Sequence, residues 1–380
     1  MKHSRSARLG GVAIVGALAL AACGSDNNSG TSATTGAPGA ASSSAPAVSG
    51  NLTGEGSSAQ KNAIDEAIAS FTQANSGAQV TYNATGSGAG IKQFNAGQAD
   101  WAGSDSALKK DPAEGSTTSE VAAAKQRCQG NDAWNLPMIA GPIAVAYNLE
   151  GVDKLVLTPS VAAKIFLGKI TTWNDPAIAE ANPDAQLPDT AITPVHRGDD
   201  SGTTDNFTDY LFQTAPDVWT SEPDGVWPLP GGEAANGTSG VVGVVESTVG
   251  AVTYADASRA GDLGVVSVAV GEEFVAPSAE AAAAIVENSP RVEGRGEYDF
   301  AIELNRQTEG SGEYPIVLVS YHLGCVQYDD QAAADNVKAF MSYVISEDGQ
   351  AAAAENAGNA PISDTLRSQA QPAVDAISAG

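Results

Sequence analysis

The segment His196-Arg197-Gly198-Asp199-Asp200-Ser201-Gly202-Thr203-Thr204 sets a guanidinium, several hydroxyls and a glycine directly ahead of a helical pattern, Phe207, Tyr210 and Leu211. Chemistry of this type suits an anion. A helix N-terminus exposes unpaired backbone N–H groups at the positive end of the macrodipole. Arg197 adds a planar fork that matches an oxyanion, and Ser201 and Thr203 add donors. The same Ser-Gly-Thr pattern also serves as an ordinary helix N-cap, so this loop taken alone supports either reading.

Two earlier loops repeat the pattern. Gly54-Glu55-Gly56-Ser57-Ser58 precedes a run that carries Ile64, Ala67, Ile68 and Phe71 on one helical face. Thr85-Gly86-Ser87-Gly88-Ala89-Gly90 follows the strand-like Ala78 to Tyr82 and leads into Ile91-Lys92-Gln93-Phe94. A single Gly-rich turn reflects chain geometry. Three strand–turn–helix junctions, one with an arginine, point to helix N-termini converging on one small anion.

The elements that must position these loops are those of an α/β chain. Residues 51–137 alternate strand and helix patterns. The apolar run Ile139 to Tyr147 and the run Pro315 to Tyr321 read as two buried strands, each passing from one lobe to another. Between them lie further βα patterns, including Val161 to Leu167 and Gly250 to Tyr254, and a helix through Val337, Phe340, Met341 and Val344 is expected to close the chain. Two crossings imply a discontinuous first lobe, 51–137 with 314–380, and a second lobe, 138–313, with a cleft between them. About 330 residues exceed what one core usually supports, which agrees with two lobes.

The chain has 380 residues, but its first 50 read as export machinery rather than fold. Lys2, Arg5 and Arg8 precede an apolar stretch, Gly11 to Ala22, too short to span a bilayer. Leu20-Ala21-Ala22-Cys23 resembles a bacterial lipobox, which implies a signal peptide over 1–22 and a lipid-bearing Cys23. Residues 24–50 are almost entirely Ser, Gly, Ala, Thr, Asn, Pro and Val, a flexible tether with a reach of roughly 30 Å. Cys128 and Cys325 then remain, and in an exported protein they are expected to pair. Only His196 and His322 lie beyond the signal segment, and no Cys/His cluster has ligand spacing, so no metal or other cofactor is expected. The formal net charge of −26 argues against nucleic acid or an anionic membrane surface as partner. It does not exclude a buried anion, because screening decays over about 8–10 Å and local dipoles decide the site. The five tryptophans read as packing or cleft-rim residues.

Taken in order, Leu52-Thr53-Gly54-Glu55-Gly56-Ser57-Ser58, Gly86 to Gln93, Gly103-Ser104-Asp105 and Arg197 to Thr203 resemble the phosphate-binding proteins of Pst-type ABC transporters. Phe166 to Trp173 and Gly250 to Tyr254 extend the likeness, which runs from residue 51 to the C-terminus. The resemblance implies a two-lobed periplasmic-binding-protein-like fold of type II, with a two-strand hinge and an interlobe ligand cleft. It implies phosphate ligands at Ser58 with the Ala59 amide, Ser87, Asp105, Arg197, Ser201, the Gly202 amide and Thr203, with Asp199 orienting Arg197. The first loop departs from the family, which often has Thr-Phe where this chain has Ser58-Ala59. The implied partners are inorganic phosphate, a membrane permease, and the membrane itself through the anchor at Cys23. The implied protein is a non-enzymatic monomer held on the extracytoplasmic face.

The residues support the same choice of ligand. Phosphate at neutral pH keeps a proton that sulfate lacks, and an ionised Asp105 can only accept. Phosphate would satisfy that lone pair, whereas sulfate would leave it unpaired and repelled. Other readings are a binding protein for sulfate or molybdate, a phosphate sensor or scavenger without a transporter, and a hydrolase built on Ser201, His196 and Asp199. The last lacks a G-x-S-x-G elbow and a positioned base.

Overall fold

The computed structural model describes residues 48–113 and 115–380. The expected signal peptide, Cys23 and nearly all of the tether lie outside those residues. The strands are β1 (Ser49–Gly56), β2 (Gly77–Asn83), β3 (Trp101–Ser104), β4 (Ala133–Tyr147), β5 (Leu155–Leu157), β6 (Thr193–Arg197), β7 (Glu233–Ala235), β8 (Ala251–Asp256), β9 (Gly264–Val270), β10 (Glu273–Val275), β11 (Val317–Cys325), β12 (Gln327–Tyr328) and β13 (Ser378–Ala379). The helices are α1 (Lys61–Ala74), α2 (Ser87–Asn95), α3 (Glu120–Arg127), α4 (Pro159–Phe166), α5 (Pro176–Ala181), α6 (Gly202–Thr214), α7 (Gly237–Ser247), α8 (Ala279–Glu287), α9 (Gln331–Ile345), α10 (Glu347–Ala357) and α11 (Asp364–Asp375).

The main sheet runs β2-β1-β3-β11-β4-β8-β6-β7, with β1 parallel to β2 and β3, and β6 parallel to β7 and β8. Strand β4 holds it together. Its first part, Ala133 to Pro142, pairs antiparallel with β11, and its last part, Ile143 to Tyr147, pairs antiparallel with β8. The side chains of β4 therefore enter two different cores. Trp134, Leu136, Met138 and Ile139 pack with Phe71, Phe94, Trp101 and Phe340, while Ile143, Val145 and Tyr147 pack with Phe166, Trp173, Phe207 and Tyr254. β11 makes the same crossing, with Val317 and Leu318 in the second core and Val319, Tyr321 and Leu323 in the first. A near-continuous apolar run is what a strand buried on both faces requires.

Several expectations shift. β1 starts at Ser49, inside the stretch read as tether, because Ser49 and Gly50 pair with Gly77 and Ala78. The second crossing strand begins at Val317 and runs on to Cys325 rather than spanning Pro315 to Tyr321. The helix through Val337 and Val344 does not close the chain. α10, α11 and β13 follow it, and α10 packs on α1. Their Ala-rich sequences hid a buried face, since Ala353, Ala357, Ala370 and Ala373 all enter the first core.

Cys128, at the end of α3, is disulfide-bonded to Cys325, at the end of β11, as expected. The bridge spans 197 positions of sequence. Closing a loop of that length removes about 5 kcal/mol of unfolded-chain entropy in the simplest treatment. His322 serves packing, as its ring lies against Trp101 and, among the described residues, shares hydrogen bonds with Gln60 and Met341. Burial holds its pKa down at about 3. No helix among the described residues is long and apolar enough to cross a membrane.

Candidate anion-binding site

Three helix N-termini approach one another where the two cores meet. α2 begins at Ser87 after Gly86, α6 begins at Gly202 after Ser201, and α7 begins at Gly237 after Asn236. The Gly88 amide donates to the Asp200 carbonyl at 3.1 Å, which brings the α2 and α6 loops into contact. Gly202 has to be glycine for lack of room: a Cβ there would lie 2.8 Å from both Asp105 Cβ and Ser87 Oγ.

Asp105 is 2% exposed and follows the end of β3. Its Oδ2 accepts from Ser57 Oγ at 2.5 Å and Thr203 Oγ1 at 3.4 Å, and its Oδ1 accepts from Ser320 Oγ at 2.7 Å. Its amide donates to Ser87 Oγ at 3.2 Å. Burial pushes its pKa up, and the hydroxyl donors and the nearby Arg197 charge only partly offset that.

Arg197, at the end of β6, is also 2% exposed. Its Nε donates to Asp199 Oδ1 at 2.7 Å, and Nη2 donates to Asp199 Oδ2. Among the described residues no protein group accepts from Nη1, so one corner of the fork remains available. Asp199 Oδ1 also accepts from the Gly237 amide at 2.9 Å, joining Arg197 to the start of α7. Burial raises the Asp199 pKa, but the Arg197 hydrogen bonds and charge outweigh it and leave the carboxyl below its ordinary value.

Ser201 Oγ accepts from the Thr204 amide at 3.3 Å, so it is the N-cap of α6. That satisfies one orphan amide and leaves those of Gly202 and Thr203 without carbonyls inside the helix. The first loop divides its work. Ser57 spends its proton on Asp105, and the Ala59 amide donates to Ser57 Oγ at 3.1 Å. Ser58 Oγ instead accepts from the Thr238 amide at 2.9 Å and lies 3.0 Å from Thr238 Oγ1. The structure thus gathers Ser87, Asp105, Arg197, Gly202 and Thr203, and turns Ser58 toward α7.

A family profile described as "PBP superfamily domain" matches residues 40–348. A phosphate-binding protein PstS3 of Mycobacterium bovis is 38% identical over 99% of this chain and 100% of its own length. The chain belongs to the PstS family of phosphate-binding proteins. PstS2 of the same organism is 34% identical, with all of both chains covered. The fold agrees: a periplasmic phosphate-binding protein, PfluDING, solved with phosphate bound, aligns with a TM-score of 0.68 at 19% identity, over 85% of this chain and 93% of that one. The architecture is the two-lobed periplasmic-binding-protein type.

Four residues that hydrogen-bond to these groups carried no assignment from the sequence. Thr238 lies in Asn236-Gly237-Thr238-Ser239-Gly240, a fourth Gly/Ser/Thr loop before an apolar helix, and that pattern could have found it. Ser320 had a weaker signal, a single hydroxyl inside the apolar run of β11. Asn206 and Tyr254 had none that separates them from core residues. Tyr254 OH accepts from the Arg197 amide at 3.2 Å and bonds Thr204 Oγ1 at 2.9 Å, supporting the arginine from behind.

Proposed function

We propose that this chain is an extracytoplasmic receptor that captures inorganic phosphate between two lobes and delivers it to the permease of an ABC-type phosphate transporter, and that it is not an enzyme. Family membership supports the ligand and the transport role. The observation that carries the reading is the pairing of a buried, hydroxyl-held Asp105 with a buried Arg197 that keeps one corner of its fork free.

The proposed ligands are Arg197, the Gly202 amide, Thr203, Ser201, Ser87, Asp105 and the first loop at Ser58 and Ala59, with Asp199 orienting the arginine. Ser58 is the better hydroxyl of its pair, because it accepts from the Thr238 amide whereas Ser57 already donates its proton to Asp105. The proposed lobes are 51–137 with 314–380, and 138–313. Packing suggests two adjustments: Phe300 joins the first core, and Tyr314 and Ile316 join the second. An anion held from both sides favours the closed arrangement by its differential affinity, and the closed form is what a permease would recognise. A lipid on Cys23 and a tether ending before β1 would keep this monomeric receptor at the membrane surface.

The test is calorimetric titration of phosphate into the full chain stripped of bound anion, with sulfate in excess as competitor. Tight one-to-one binding that sulfate fails to displace is expected. Absent phosphate binding, or equal competition by sulfate, would overturn the reading.

A further inference from the structure

Arg306 belongs to none of the loops described above, yet it is 2% exposed and fully engaged. Its Nε donates to Asp209 Oδ2 at 3.0 Å. Its Nη1 donates to the carbonyls of Pro315 at 2.9 Å and Val317 at 2.7 Å, and its Nη2 donates to Asn206 Oδ1 at 2.5 Å. Burying a guanidinium costs several kcal/mol in desolvation, and an ion pair rarely returns more than that. The pair with Asp209 is therefore a poor account of why a cation sits here.

The contacts of Asn206 supply a better one. With Oδ1 held by Arg306, its Nδ2 has to face the other way, and it donates to the Asp105 carbonyl at 2.7 Å and the Gly202 carbonyl at 2.8 Å. One side-chain amide thus links the main chain that carries the Asp105 carboxylate to the first residue of α6, whose amide is one of the proposed anion ligands. The Asp105 amide is already tied to Ser87 Oγ, so Asp105 is held at both backbone groups. Val317 opens β11, the strand that crosses between the cores, and Pro315 lies two residues ahead of it. Arg306 therefore connects the crossing strand to the anion site through one intermediate residue.

We propose that Arg306 is a positioning residue for the anion site: acting through Asn206, it fixes the Asp105 carboxylate relative to the α6 N-terminus and so sets discrimination between protonated phosphate and sulfate. This rests on the reading of the site as a phosphate site.

The test compares Asn206→Ala, Arg306→Met, the double variant and Asp209→Asn in the full chain. The measurements are phosphate titration, sulfate competition and ligand-free thermal unfolding. Asn206→Ala and Arg306→Met should each weaken phosphate about tenfold and admit sulfate as a competitor, and the double variant should do no worse than the weaker single. Asp209→Asn should lower the melting temperature while leaving phosphate affinity within about twofold, because that carboxylate does not reach Asn206. If Arg306→Met does not fold, Arg306→Lys replaces it. Lysine keeps the charge beside Asp209 but cannot serve four acceptors in a planar fork, so selectivity should still fall. Unchanged affinity and selectivity in Asn206→Ala, or additive losses in the double variant, would overturn the proposal alone. A wild-type chain that binds no phosphate would overturn the site reading beneath it.

Discussion

The two sides of the anion site hold their carboxylates in opposite ways. On the first-core side, Asp105 is surrounded by neutral hydroxyls from Ser57, Ser320 and, across the gap, Thr203, and burial leaves it reluctant to ionise. On the second-core side, Asp199 is locked to a guanidinium and a helix amide and gives up its proton more readily than usual. One side therefore carries the positive charge that attracts any oxyanion. The other carries an acceptor that favours an anion still holding a proton. In the proposed receptor, attraction and choice fall to different cores, and both act on one ligand when the cores close around it.

Loss of the attracting side should have the largest effect. Arg197→Ala removes charged donors and leaves the Asp199 carboxylate with the Gly237 amide but no counter-charge. Phosphate affinity should fall by about 2–4 kcal/mol by calorimetry, combining a lost charged hydrogen bond with an uncompensated buried charge. Adding Asp199→Asn should recover part of that loss, because the repulsive charge goes with it. An Arg197→Ala variant with wild-type affinity would mean that attraction comes from the helix N-termini alone.

Asp105→Asn addresses the selecting side and should leave phosphate affinity within about 1 kcal/mol, since an amide can still donate to an oxyanion. Sulfate should gain at least about tenfold, because the lone pair that opposed it has been replaced by a donor. If sulfate stays excluded from this variant, selectivity lies in the shape of the closed site rather than in the acceptor.

The attracting side was far more legible in the sequence than the selecting side. Arg197, Asp199, Ser201 and Gly202 fall within one short segment, and local chemistry is what a linear reading captures. Asp105 was singled out from its sequence, but its partners come from three distant places: Ser57 on the first loop, Ser320 on β11 and Thr203 on α6. Those contacts exist only because two strands cross between cores, and no local pattern encodes them. The crossing strands themselves were readable as apolar runs, which is why the architecture survived the comparison. Ser57 and Ser58 show the limit, as they are chemically alike and adjacent. The turn that follows β1 sends one to Asp105 and the other to Thr238, a difference of facing rather than of residue type.

The smallest effect, and the finest separation of the two sides, lies in the pH dependence of stability in anion-free buffer. Asp199, with its folded pKa below the unfolded value, contributes stability that is present above about pH 4 and is lost as pH falls through its folded pKa. Asp105 has the opposite sign. Its folded pKa is raised, so the folded state binds the proton more strongly than the unfolded chain does, and stability falls as pH climbs from the unfolded to the folded value. Each carboxyl can contribute a slope of at most about 1.4 kcal/mol per pH unit. Denaturant unfolding of the wild type, Asp105→Asn and Asp199→Asn across the acid range should therefore give two curves that depart from wild type in opposite directions. Asp199→Asn should flatten the loss on the acid side, and Asp105→Asn should remove a decline toward neutral pH. Departures of the same sign would mean that both carboxylates are governed by the Arg197 charge, and that the division between an attracting and a selecting side does not hold.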